Sequence, residues 1–401
     1  MLRRRSIIHL FFFITLASFF ITEGALAQSI PDITKLAEYT FGPKDSSYSA
    51  LSVSAPQDKA ARYPVISALT YSNDKESFYV GGDDQKFYVC KIDDNRFEPV
   101  VKSGNADPVD DWVRAVAMRP VNKSENAESY SEDAETQELA TLSQKGQIRI
   151  WDPQTGRLLR ELPANKTNVA GAHAMVYSPN GALLAVCGYA GLIRIFVADT
   201  LKEYTTWTGP SESVTTLAFS PDGTALAAGG RNAFCVWRTN DAKLLIPSRP
   251  LTNGKGDRTA QRRIRVVCFS PNNQLVAVAG DADRIIVLDV ASGKEVAQFD
   301  LTERVNTSVG EQALPSRKIF AMAFLDNSTL ITGDSVNDVI VWDMNTLKPI
   351  GYGQGYAKSD RRESLETGGH SGTVSVIAVD RAKREFLSGS FDAKVIRWKA
   401  P

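Results

Sequence analysis

The chain has 401 residues, and its 46 Lys+Arg and 46 Asp+Glu cancel to a formal net charge of +0. Such a balance exerts no net pull toward nucleic acid. With 3 His and 4 Cys, the chain is also poorly supplied for a zinc cluster or a disulfide framework.

At the N-terminus Arg3-Arg4-Arg5 precede an apolar run from Ile7 to Ile21, and Ala25-Leu26-Ala27 place small residues where a signal peptidase reads them. The run has roughly 15 residues, short of the roughly 20 that a membrane span needs. Residues 1–27 are therefore expected to be a signal peptide cleaved before Gln28, with an uncleaved anchor as the alternative. The mature chain, slightly acidic, is expected to be soluble in the periplasm or outside the cell. Residues 28–45 read as a linker, and Tyr48 to Ser54 alternates polar and apolar as a half-buried strand does.

From there the chain repeats itself. A faint copy, Phe87-Tyr88-Val89-Cys90, is followed by Gln147 to Asp152, Leu192 to Phe196, Phe234 to Arg238, Ile285 to Asp289, Val339 to Asp343 and Val395 to Trp398. Each is a short β-branched and aromatic run bounded by turn residues, hence a strand. Upstream of several lies another apolar strand ending in a turn, as in Tyr177-Ser178-Pro179-Asn180-Gly181, Phe219-Ser220-Pro221-Asp222-Gly223 and Phe269-Ser270-Pro271-Asn272-Asn273. Proline presets φ there, and glycine or asparagine accepts positive φ. A second strand with small residues follows, such as Ala225 to Gly229 or Glu385 to Gly389.

This unit resembles the repeat of the WD-repeat β-propeller family, over roughly residues 46 to 401. The resemblance implies an all-β, seven-bladed propeller of four-stranded antiparallel blades, with third strands at Cys90, Trp151, Phe196, Trp237, Leu288, Trp342 and Trp398. The last copy stops at Lys399-Ala400-Pro401, so a strand from the N-terminal side is expected to close the ring, and Tyr48 to Ser54 is the expected strand. Closure removes two free sheet edges. The family's hydrogen-bonded chain of His, Ser or Thr, Asp and Trp is complete only in the last blade, as His370, Ser388, Asp392 and Trp398. The sixth blade has Thr332 and Trp342 with Asp338 displaced, and the others are expected to rest on apolar packing.

Cys90, Cys187, Cys235 and Cys268 fall within predicted strands and read as buried free thiols, a Cys187 to Cys235 bridge being the alternative. Sequons begin at Asn122, Asn165, Asn306 and Asn327. A haem attachment motif, a zinc pattern, Gly-x-Ser-x-Gly and a phosphate loop are missing. Gly351-Tyr352-Gly353-Gln354-Gly355 has no helix start after it to hold phosphate, and Gly81-Gly82-Asp83-Asp84 and Asp281-Ala282-Asp283 read as turns. No catalytic residue, metal or cofactor is expected.

What remains is surface. The links at Val101 to Asp111, Pro247 to Arg263, Asp300 to Lys318 and Gly351 to Gly369 are long and should crown one face, locally basic at Arg258, Arg262, Arg263 and Arg265 and at Arg361-Arg362. An acidic insertion, Asn122 to Glu138, belongs on the opposite face. Alignment of the first strands on their turn prolines puts Ser67, Arg114, His173, Thr215, Arg265, Phe320 and Ser375 at one place, which the family resemblance sets near the channel mouth. Arg114, His173, Arg265 and Phe320, with Trp112 at the entry of blade 2, are the expected binding residues, since arginine and aromatics anchor interfaces. The expected function is a monomeric, non-enzymatic scaffold for a protein partner, not for nucleic acid or membrane. The alternatives are a hydrolase or lyase using His173 with nearby carboxylates, and an accessory to an exported cytochrome-type electron-transfer system.

Overall fold

The structure, a computed structural model, describes residues 33–40, 65–93, 97–100, 111–121, 137–169, 171–251, 262–282, 284–301, 304–307, 310–313, 317–353 and 369–401. The expected signal peptide, the segment Tyr48 to Ser54, Arg258, Arg361-Arg362 and all of the acidic insertion but Gln137 and Glu138 lie outside these residues.

Seven four-stranded antiparallel sheets follow one another along the chain. Blade 2 shows the plan: Val113–Met118, Leu139–Ser143, Ile148–Asp152 and Arg157–Leu162, ordered from the channel outward. The second and third strands are almost wholly buried and the fourth is not. This gradient follows from composition, because β-branched and small residues fill the middle strands while charged residues punctuate the outer one. Each innermost strand packs on the next, and that of blade 7 on that of blade 1, so the ring is continuous.

The core is divided in the same way. Among the described residues seven apolar clusters are present, and each straddles two neighbouring blades. Leu142 and Ile148 of blade 2, for instance, meet Met175 and Val186 of blade 3. A small residue on one blade admits a large one on the next. A Cβ on Gly229 would stand 2.3 Å from Ile264 Cγ2, and one on Gly389 would stand 2.9 Å from Ile66 Cγ2. The turns behave as their residues dictate: Gly181, Gly223 and Asn273 have φ of 67°, 73° and 64°, the left-handed region that Gly and Asn tolerate.

Closure is real but falls elsewhere than expected. The strand Thr34–Thr40, inside the segment read as a linker, pairs antiparallel with Lys394–Lys399, from Thr34 opposite Lys399 to Thr40 opposite Lys394. Tyr48 to Ser54 is not that strand. The physical reason lies in what each segment can bury: Tyr48 to Ser54 is mostly Ser and Ala, whereas Tyr39 is 1% exposed and meets Phe78 of blade 1 edge-on at 5.1 Å. Its hydroxyl donates to the Ile92 carbonyl at 3.0 Å. Glu38 adds ion pairs to Lys35 and Lys394, both at 2.6 Å. The added strand thus ties blade 7 to blade 1 by side chains as well as by its ladder.

Among the described residues two links carry structure of their own. A single helical turn, Ala164–Thr167, joins blades 2 and 3, and the link between blades 5 and 6 contains a hairpin, Arg304–Thr307 paired with Gly310–Ala313. No helix among the described residues is long and apolar enough to cross a membrane.

Candidate functional site

Six of the seven innermost strands share one irregularity. Pairing with the second strand skips a residue between Ile66 and Ala68, Val113 and Ala115, Val214 and Thr216, Ile264 and Val266, Ile319 and Ala321, and Val374 and Val376. The skipped residues are Ser67, Arg114, Thr215, Arg265, Phe320 and Ser375, the set aligned in the sequence. In blade 3, His173 stands just before the strand Ala174–Tyr177, with its N–H on the Cys187 carbonyl at 2.9 Å. A bulge leaves its extra residue out of the ladder and re-aims the side chain. Alternation would bury such a residue; the bulge frees it to line the channel.

All seven residues line one cavity of about 420 Å³ at the channel mouth, and Trp112 lines it with them. They divide by chemistry. The hydroxyls stitch neighbouring blades: Ser67 Oγ donates to the Val113 carbonyl at 2.6 Å, Ser375 Oγ to the Ile66 carbonyl at 2.6 Å, and Thr215 Oγ1 to the Ile264 carbonyl. Arg114, His173, Arg265 and Phe320 make no such stitch and supply the cavity's chemical character.

Two clusters result. On blades 5 to 7, Arg265 Nε donates to Asp281 Oδ1 at 2.5 Å, its guanidinium lies 4.0 Å from the centre of the Phe320 ring, and Phe320 meets Phe391 edge-on at 6.2 Å. Carboxylate, cation and two rings hold one another in place. On blades 2 and 3, Arg114 Nη2 lies 3.4 Å from His173 Nδ1, and the His173 ring stands at 86° to Tyr189, 4.5 Å between centroids. Arginine can only donate, so Nδ1 accepts and the proton sits on Nε2. That Nε2 is buried without a hydrogen-bond partner. Burial, and then the fields of Arg114 and Arg263, lower the His173 pKa to about 4. Burial also lowers that of Arg114. Trp112, Tyr189 and Phe391 are 43%, 56% and 45% exposed around the mouth.

Sequence reasoning missed Asp83, Arg263 and Phe391 as cavity residues. Asp83 had been read as a turn residue, and its Oδ1 accepts from the Val65 N–H at 2.7 Å. Phe391 sits in the turn before the third strand of blade 7 and carried no periodic signal. Arg263 was visible only as part of a basic run. The carboxylate that an acid–base reading places beside His173 is not its neighbour; Arg114 and Tyr189 are.

The expected polar network of blade 7 is assembled. Trp398 Nε1 donates to Ser388 Oγ at 2.7 Å, Ser388 Oγ lies 2.7 Å from His370 Nε2, and His370 Nδ1 lies 3.1 Å from Asp392 Oδ2. Burial would raise the Asp392 carboxyl, but His370 and the N–H groups of Ser371 and Lys394 hold it below its usual value. Blade 6 keeps the Trp342 to Thr332 bond at 2.9 Å and replaces histidine by Arg317, which donates to Asp334 at 2.8 Å and Asp338 at 2.7 Å. Burial and the adjacent Asp338 push Asp334 up to about 6 against the pull of Arg317. Blade 2 has a further Trp bond, Trp151 to Thr141 at 2.9 Å, where only apolar packing was expected. Cys90 is buried, Cys187, Cys235 and Cys268 are free thiols, and burial raises Cys187 and brings Cys235 and Cys268 up to about 12.

Fold and site together define a seven-bladed propeller whose polar groups stiffen blades and furnish a channel mouth. The WD domain, G-beta repeat family profile matches residues 201–238, which span the outer strand of blade 3 and the first three strands of blade 4. The chain is 29% identical over 160 residues to WD repeat-containing protein SL1-17 of Schistosoma mansoni, covering 39% of this chain and 48% of that protein. It is 28% identical over 169 residues to WD repeat-containing protein VIP3 of Arabidopsis thaliana, covering 40% and 51%. Telomerase protein component 1 of Rattus norvegicus is 25% identical over 240 residues, 51% of this chain and 8% of that one. The chain thus spans about half the length of the first two relatives.

Proposed function

We propose that this chain is an exported, monomeric, non-enzymatic docking platform that binds a protein partner at the channel mouth, on the face crowned by the long inter-blade links. One observation carries the reading: a cavity built on bulged residues gathers arginines with Trp112, Phe320 and Phe391, and residues of these kinds supply most of the binding energy at protein interfaces. An exposed Trp112 or Tyr189 contributes nothing to a core. Similarity to WD-repeat proteins supports the same reading at the level of the family. The catalytic alternative is weakened by the surroundings of His173, a neutral imidazole accepting from a guanidinium and held at a pKa of about 4, which makes it a poor general base near pH 7.

The test is capture from the envelope fraction with the mature chain and two variants. Trp112→Ala and Arg114→Glu should each weaken retention of a partner at least about tenfold while leaving the melting temperature within a few degrees. Retention unchanged in both would remove the channel mouth as the docking surface. Export is tested by the intact mass of the protein recovered from its host, expected to begin at Gln28.

A further inference from the structure

Three guanidinium groups, Arg114, Arg263 and Arg265, line the cavity with one carboxylate, Asp83, and a second carboxylate, Asp281, reaches Arg265 from beside it. Both carboxylates are engaged: Asp281 by Arg265 and Asp83 by the Val65 N–H. Arg114 is half-buried, and among the described residues its side chain has one hydrogen-bonding contact, the Nδ1 of a neutral imidazole. A guanidinium partly withdrawn from water with no anionic partner among the described residues has lost hydration without recovering it in charge-assisted bonds. Beside it the buried Nε2 of His173 lacks an acceptor. The aromatic side chains Trp112, Tyr189 and Phe391, each exposed, stand around this mouth.

We infer that the channel mouth binds a carboxylate, the side chain of Asp or Glu in an acidic segment of a partner protein, with Arg114 as its counter-ion and Trp112, Tyr189 and Phe391 packing on the flanking residues. The inference rests on the mouth being the docking surface and specifies what docks there. The charge sum selects the ligand: Arg114, Arg263 and Arg265 against Asp83 and Asp281 leave one positive charge, which one carboxylate matches, whereas a phosphate group carries nearly two negative charges at neutral pH. His173 is neutral there and adds no second cation. The rim selects a peptide over a free small anion, because an anion alone would leave three large rings in water. A cavity of about 420 Å³ takes one or two side chains, and the rings around it suit apolar residues on either side of the acid.

A positional peptide array separates these possibilities. Blocked decapeptides with degenerate flanks carry Asp, Glu, Gln, Lys or phosphoserine at the centre, and are probed with the intact mature protein and with its Arg114→Met variant. Asp and Glu centres should bind at least about tenfold better than Gln, and the Arg114→Met variant should lose that preference while melting like the parent. Preference for phosphoserine would replace the carboxylate by a phosphate. Equal signal across Asp, Glu and Gln, or a preference for Lys, would overturn the inference and leave docking at the mouth intact. No signal at any centre would also overturn it, and the docking reading would then stand or fall on capture by the Trp112→Ala variant. Raising salt from 50 to 500 mM should erase most of the difference between Glu and Gln, since the exposed part of the attraction is screened.

Discussion

Single side chains in this protein divide by whether a neighbour has answered their charge. Asp392 is answered: it accepts from His370 and from backbone N–H groups of Ser371 and Lys394. Asp392→Ala should cost about 1–3 kcal/mol, read by chemical denaturation, because the buried His370 donor would be left without an acceptor. Arg317 answers two carboxylates at once, so Arg317→Ala should cost more, about 3–5 kcal/mol, by stranding Asp334, which is 1% exposed as a side chain, beside Asp338. His173 is the opposite case, held neutral by burial and by two guanidinium groups. Its pKa is depressed in the folded chain, so the unfolded chain takes up the proton first as pH falls. Its contribution is therefore fully present above about pH 6.5 and is lost progressively down to about pH 4. After solvent screening the loss is on the order of 1–3 kcal/mol. His173→Gln should flatten the pH dependence of the melting temperature over that interval; an unchanged slope would assign it to other groups.

At the scale of strands, two devices make the ring: the bulge and the added edge strand. The bulge recurs at one position in six blades, and where the bulged residue is Ser or Thr its hydroxyl bonds to the next blade. Ser375→Ala removes the bond to the Ile66 carbonyl and should cost about 1 kcal/mol. The added strand Thr34–Thr40 carries more. Deleting residues 34–40 should expose the edge of Lys394–Lys399 and the Phe78 face that Tyr39 covers, with a loss of several kcal/mol or aggregation on purification. Deleting residues 48–54 is the matched control and should be much milder. Reversal of that order would return closure to the later segment.

For the molecule as a whole, stability is distributed over seven interfaces rather than one core. Each apolar cluster belongs to two blades, so no blade buries its faces alone. A substitution at one seam should therefore be felt around the ring. Gly229→Val, whose Cβ would stand 2.3 Å from Ile264 Cγ2, should lower the melting temperature through overpacking of about 1–3 kcal/mol, with a single transition if the ring melts as a unit. Two separate calorimetric transitions would show that blades 4 and 5 open independently. The same ring creates the channel mouth, because the six bulged residues and His173, one from each blade, meet only when it is closed.

The repeat, the blade count and the third-strand residues were legible in the chain itself, because β-branched runs, small second strands and Ser-Pro-x-Gly turns are local patterns that recur in order. Alignment on the turn prolines even brought Arg114, His173, Arg265 and Phe320 to one place, since each stands at the same distance from a turn. Local pattern favoured Tyr48 to Ser54 because it alternates; that Thr34–Thr40 closes the ring instead depended on Tyr39 meeting Phe78 across the seam between the last blade and the first. Nor could it reveal Arg317 standing in for a histidine, which required Asp334 and Asp338 to converge on it in space. The bulge was hidden too, for it is a property of the pairing of two strands and not of either one. Charge compensation in the cavity was settled last and by tertiary structure alone: Asp281 reaches Arg265, no carboxylate among the described residues reaches Arg114, and Coulomb energy depends on distances that only the closed ring sets.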